Sequence, residues 1–504
     1  MSQLKKGAIL NYITILITNV VGLLLTPFII RHLGESEFGL YTLIGAFVGY
    51  ISVLDFGLTN TIVRFVAKYR AEKNRVGEEN FLATTMLIYF VISVLVIIIG
   101  AICYFNLENI FNRSLTLEEL RKAKIMFIIA IFNLAIQLPG GVFMGICSGY
   151  EQFVFPKSVN IVRYVMRSFT VVAVLLLGGK AISIVILDTV MNILVITANA
   201  YFSFKNLKVK FKLHKFKKGL VTEIFSYSIW IFVFVLVGQF QWQAGQMVLG
   251  IVTNTTVVAI FGVGIMLGTY YGAFSTAISS VFLPKATQMA VGNASGEELT
   301  NMMIKIGRLS LIVLLYILIA FALYGKQFVF LWVGESFYES WIIALIIMVA
   351  YTLPLVQGFG NSILEAKSKL SFKAIIYLVF MIIGTFIGAT YANKYGAIGM
   401  ISGSVLGWLI VQNIMNIYYH KVIKINIPRF FKELLNKTFF TVIIIFILGY
   451  LVNYIPGYGW INFIVKAIIY STVYAILMYL FGILDYEKDL FKNTTLSLLN
   501  KIKK

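Results

Sequence analysis

Five polar residues crowd one short apolar stretch of the chain: Gln239, Gln241, Trp242, Gln243 and Gln246. Amides set among apolar residues carry donors and acceptors that hydrocarbon cannot satisfy, so they bond either to a neighbouring helix or to a polar molecule held in a cavity. At about 100° per residue, Gln239, Gln243 and Gln246 share one helix face with Trp242 at its edge, while Gln241 points the other way. Such a wall suits hydrogen bonding to sugar hydroxyls, with the indole stacked on a ring; the plainer reading is that the amides tie helices together. The first apolar segment repeats the idea more weakly, with Asn11, Thr14, Thr18, Gly22 and Thr26 along one stripe.

The charged candidates are few. Asp55 lies nine residues before Arg64, which at about 1.5 Å per residue sets it about 13 Å from the end of its segment, near the middle of a membrane. A carboxylate there could titrate in a proton- or cation-coupled cycle, or be a paired, helix-breaking residue of the LDFGL stretch. Arg64, Arg163 and Arg167 read as lying near helix ends, and Arg163 and Arg167 are one turn apart on one face. Guanidinium forks suit phosphate oxygens; arginines at helix ends also snorkel to headgroups. Asp188 follows the Gly178-Gly179 turn about as closely as Arg167 precedes it, which predicts a structural ion pair across that hairpin. There is no P-loop, dinucleotide-binding glycine motif or HExxH, and the histidines are His32, His214 and His420 alone. The reading is therefore no enzyme, no metal and no cofactor, with a proton or sodium gradient, or the membrane potential, as the energy source.

The elements that position these residues are membrane helices. Of 504 residues, 60% are hydrophobic and 12% charged, and the mean hydropathy is +0.89, far beyond a soluble domain. Fourteen apolar segments of about 18 to 25 residues can be read, each long enough to span a bilayer. A run such as Leu87 to Ala101 is apolar all round, with none of the alternation of a barrel strand. The expected fold is thus an all-α integral membrane protein of about fourteen transmembrane helices: two six-helix lobes around a central cavity, plus two C-terminal helices. Pro139, beside Gly140 and Gly141, and Pro354, near Gly358 and Gly360, are the candidate hinges. Cys103 and Cys147 read as small core residues.

The net charge of +21 would point to nucleic acid in a soluble protein, but here the charges sit in loops. Alternate loops, beginning with the N-terminus, hold 33 of the 42 Lys and Arg, so both termini are expected to be cytoplasmic. The longest connection, Lys205 to Thr222, is lysine-rich and suggests contact with anionic lipids. It suggests a division into 1–204, a basic linker at 205–222, a second lobe at 223–420 and two further helices in 421–504. No loop is long enough for an extramembrane catalytic domain.

The segment from Thr26 to Tyr69 carries Arg31, the LGxxxFGLY run with Gly34, Phe38, Gly39 and Tyr41, the Asp55-Phe56-Gly57-Leu58 element and Arg64. It resembles the N-terminal signature of the polysaccharide-exporter family, the Wzx-type O-antigen and capsule flippases of the multidrug/oligosaccharidyl-lipid/polysaccharide exporter superfamily. The resemblance implies two lobes in a V, alternating access, and export of an undecaprenyl-diphosphate-linked oligosaccharide. It implies the cytoplasmic membrane as location, with a polysaccharide polymerase and glycosyltransferases as candidate partners. Lipid II flippases of that superfamily look arginine-rich in their first helices, whereas this chain has no charge between Lys6 and Arg31, which favours a surface-polysaccharide unit. The alternative is a cation-coupled multidrug or metabolite antiporter on the same fold.

Overall fold

The computed structural model describes residues 3–367 and 369–489, and among them there is no strand. The helices are α1 (Gln3–Leu33), α2 (Glu35–Ile51), α3 (Leu58–Ala71), α4 (Arg75–Phe111), α5 (Leu117–Gly149), α6 (Val154–Leu176), α7 (Ala181–Lys205), α8 (Lys218–Trp242) and α9 (Ala244–Val252). They continue as α10 (Thr255–Val291), α11 (Gly296–Val333), α12 (Tyr338–Val356), α13 (Gly358–Ala366), α14 (Leu370–Val422), α15 (Ile427–Leu435), α16 (Thr438–Val452) and α17 (Trp460–Leu477). Their outward faces are apolar: on α4, Phe90, Val94, Ile98 and Phe105 are exposed, Phe105 by 77%, a surface that only acyl chains can solvate.

Twelve helices among the described residues are long and apolar enough to span a membrane, and the bent pair α15–α16 adds a thirteenth. The fourteenth comes from α14, whose 53 residues are interrupted at Gly396 (φ 55°, ψ −135°). The two arms fold back on each other, close enough that a Cβ on Gly403 would collide with the backbone of Gly388 and lie 2.9 Å from the Gly384 carbonyl oxygen. Backbones approach this closely only where side chains are absent. Gly403→Leu should therefore cost about 3 kcal/mol or more through overpacking, read as a lowered thermal midpoint of the detergent-purified protein; an unchanged midpoint would show that the arms part freely.

By its contacts the chain divides differently from the sequence expectation. Among the described residues, one unit comprises 3–262 with Ala374–Ser404, and the other Val263–Lys373 with 405–489. The 205–222 linker is not a boundary, because it is tied to the first unit: the N–H groups of His214 and Lys215 both donate to Asn80 Oδ1, at 3.0 and 2.9 Å. Beyond it, α8 joins that unit through the buried Thr61–Ser228 hydroxyl pair (2.7 Å) and the stacking of Phe56 on Phe232.

Nor are the last helices appendages; they complete the second unit. Tyr470 and Tyr474 of α17 donate to the carbonyls of Tyr316 and Ile312 on α11, at 2.9 and 2.6 Å. Arg308 of α11 is 1% exposed and its partner Glu487 is fully buried. The guanidinium gives Nε to Glu487 (2.7 Å), Nη2 to Glu487 and the Gly482 carbonyl, and Nη1 to the carbonyls of Glu433, Leu434 and Asn436. A charge this deep is tolerable only when so fully bonded.

The two proline sites behave differently. Helix α5 runs unbroken through Pro139, and its neighbours serve close packing, Gly140 against Ile196 and Gly141 against Thr59. Helix α12, by contrast, ends two residues after Pro354, and α13 starts at Gly358. The residue between them, Gln357, is fully buried, donates to Asn416 Oδ1 at 2.7 Å and accepts from Gln412. The interruption is thus held by an amide network inside the second unit.

Candidate functional site

Two backbone interruptions shape the first unit. Between α2 and α3 a single 3₁₀ turn, Ser52–Asp55, gives way to Phe56 and Gly57, both left-handed (φ 52° and 68°). Helix α8 stops at Trp242, with Gln243 (φ −112°) as the joint to α9. Interrupted spans at membrane depth need a polar interior or a cavity to satisfy the freed backbone groups.

Such a cavity lies inside the first unit, with a volume of about 1000 Å³, walled by α2, α3, α5, α6, α7, α8 and α9. Its polar lining includes Asn133, Gln137, Asn160, Asn192, Asn199, Gln243 and Gln246, together with Thr42, Ser52 and Thr59. The charged residues of the lining are Asp55, Arg163 and Asp188. Asp188 is neutralised within the wall: Arg167 gives it Nε and, at 2.9 Å, Nη2, and the Tyr41 hydroxyl donates to it at 3.2 Å. Asp55 accepts from the Tyr89 hydroxyl at 2.9 Å and from the Gly57 N–H.

Arg163 has no such partner. No carboxylate of the described residues lies within ion-pairing distance; its guanidinium rests 4.9 Å from the Tyr164 ring, and its buried Nε lacks a hydrogen bond. The sequence reading set Arg163 and Arg167 near a helix end, and this is corrected. Helix α6 starts at Val154, so Arg163 lies about 14 Å and Arg167 about 20 Å into a helix of about 35 Å. Neither can snorkel. A mid-membrane arginine without a counter-charge costs several kcal/mol unless it faces a polar space, and the cavity is that space.

Gln243 and Gln246 line the cavity. Gln239 approaches its Gly49 wall, with its buried Oε1 unbonded, but it is not part of the lining, and neither is Trp242. Arg64 is exposed and stacks over the Tyr227 ring at 4.2 Å, away from the cavity. Arg167 is committed to Asp188, as the hairpin spacing predicted, and has no free fork for a phosphate. Helix α1 contributes nothing to the lining. The Thr14 and Thr18 hydroxyls bond to their own helix, to the carbonyls of Leu10 (2.7 Å) and Thr14 (2.9 Å), and the Asn11 side chain lies outside the described residues. The sequence reading missed the amides of α5, α6 and α7. Their spacing held the signal: Asn133 with Gln137, Asn160 with Arg163, and Asn192 with Asn199 each repeat at helical intervals on one face.

Known proteins share this fold. The fold matches a lipid II flippase, MurJ in an inward closed conformation, with a TM-score of 0.72 at 16% identity, over 96% of this chain and 99% of that one. It also matches an inward-facing multidrug resistance MATE transporter of the MOP superfamily, with a TM-score of 0.62 at 14% identity, over 83% and 96%. In sequence, a Shigella flexneri protein named for O-antigen transport is 20% identical over 78% of this chain and 92% of its own length. The membrane protein EpsK of Bacillus subtilis is 23% identical over 65% of each. The family model described as polysaccharide biosynthesis protein matches residues 4–290, more than half of the sequence and all of the cavity wall. The chain belongs to the polysaccharide biosynthesis protein family.

Proposed function

We propose that the protein is a flippase that moves a lipid-linked oligosaccharide, with an undecaprenyl-diphosphate anchor, from the inner to the outer leaflet of the cytoplasmic membrane by alternating access. One observation carries this reading: a roomy membrane cavity whose wall combines an uncompensated guanidinium with a ring of amides. Arg163 suits the diphosphate, and Gln243, Gln246, Asn133 and Asn199 suit sugar hydroxyls, as the amides of a saccharide site do. The anionic head is driven outward by an inside-negative potential, at about 2.3 kcal/mol per charge per 100 mV. The distribution of Lys and Arg supports cytoplasmic termini. The O-antigen transport for which the Shigella relative is named supports a surface-polysaccharide unit as cargo, and Asp55, at the broken span, is the candidate for proton or sodium coupling.

The test uses protein reconstituted in vesicles with a polyprenyl-diphosphate oligosaccharide, scoring its exposure to a membrane-impermeant lectin. Protein-dependent exposure is expected, enhanced by an inside-negative potential. No exposure, together with efflux of a cationic dye under a sodium or proton gradient, would replace this reading with the antiporter.

A further inference from the structure

A second pocket of the first unit, about 320 Å³, opens where α3 turns into α4, beside the end of α5 and the end of α7. The three connections follow spans that cross the bilayer in pairs, so they share one membrane face. Its wall holds Arg70, Lys73, Arg75 and Lys208 with Tyr69 and Tyr150, and one carboxylate, Glu78. That carboxylate is already engaged by the Tyr150 hydroxyl at 2.7 Å. Arg75 reaches Glu79 only at 3.8 Å. For Arg70, Lys73 and Lys208 there is no carboxylate within ion-pairing distance among the described residues.

The cations are also held in place. The Arg70 guanidinium lies 4.1 Å from the Tyr150 ring and spends Nη1 on the Gly149 carbonyl at 3.1 Å, which leaves its other N–H groups for the pocket. Lys73 and Lys208 both have left-handed backbones, φ 53° and 54°, just beyond the ends of α3 and α7. Glycine or asparagine takes that conformation at lower cost, yet both positions carry a lysine that lines the pocket. Topology alone asks for positive charge somewhere on this face; it does not ask for a stacked arginine and two lysines on strained turns around a single concavity.

We propose that this pocket binds the phosphate of a lipid headgroup of net negative charge at the membrane surface, as a site separate from the transport cavity. Two lipids carry that chemistry, the anionic phospholipid of the bilayer and the polyprenyl diphosphate of the cargo. Full-length protein in phosphatidylcholine nanodiscs, doped with phosphatidylglycerol or with polyprenyl diphosphate, is analysed by native mass spectrometry for retained lipid.

One retained anionic lipid is expected, and the stronger retention of the two names its source. Loss of a charge-assisted contact in Arg70→Ala should weaken retention about tenfold. Lys73→Gly removes a charge while relieving backbone strain, so it should weaken retention with an unchanged or raised thermal midpoint. Lys212→Glu, on the same linker but outside the pocket, should retain lipid as the unaltered protein does. Equal retention in all variants, equal loss in Lys212→Glu, or equal retention of phosphatidylcholine would overturn the site.

Discussion

Cells relying on the Arg163→Glu variant should lose surface polysaccharide entirely while keeping normal amounts of the protein in the membrane. Arg163 faces a cavity and makes no ion pair, so its removal leaves no buried carboxylate stranded and should not harm folding. Its role in the proposed mechanism is to offset the negative charge of the cargo head where water is scarce, worth about 1.5 to 3 kcal/mol for each charge-assisted bond. Arg163→Gln should then export about tenfold less than the unaltered protein, and Arg163→Lys should recover part of that loss. The comparison with Arg167 separates binding from folding. Arg167→Gln orphans Asp188, so it should lower the amount of protein. Arg64→Glu, at an exposed site stacked on Tyr227, should leave export near normal. Normal polymer in Arg163→Glu cells would remove this residue from the cargo path.

The largest loss of stability is expected at Arg308. Arg308→Ala leaves Glu487 buried and without its cation, a change that costs about 3 to 5 kcal/mol for a buried pair. The fluorescence-detected melting curve of the solubilised protein should shift strongly downward, and less protein should reach the membrane. The double variant Arg308→Ala with Glu487→Ala removes the stranded charge, but it leaves the carbonyls of Glu433, Leu434, Asn436 and Gly482 without the donors they have now. Recovery should therefore be partial. Full recovery would mean that the carbonyls find other donors, and that the pair, not the network, is what the site contributes.

Helical membrane architecture was legible in the sequence because lipid imposes apolar length, and α4 declares it at nearly every position. The Arg167–Asp188 pair was legible too, since two residues about equally far from a tight turn meet across a hairpin. Depth was harder. Arg163 and Arg167 read as marking the end of their segment, although the helix starts at Val154; that error moved Arg163 from mid-membrane to a helix end, and so hid its isolation. The bond between Arg308 and Glu487 could not be read, because nothing local links residues that lie 179 positions apart. The roles of Gly388 and Gly403 were equally hidden, as each looks like any small residue until the fold-back at Gly396 sets them against each other. Gln243 was picked out by its type, but its place at the α8–α9 joint depended on a break that the apolar pattern does not mark.

The distance between Arg308 and Glu487 along the chain also sets a schedule for biosynthesis. At about 5 to 20 residues per second, a ribosome needs roughly 10 to 40 s to add the intervening stretch. Throughout that interval α11 is already made, but the acid that neutralises its arginine does not yet exist. Arg308 comes twelve residues into the helix, about 18 Å from its start, so until then its charge lacks the bonds that make so deep a position tolerable. Burial of Arg308 with its counter-charge is therefore a late event, open only to a chain translated past Glu487.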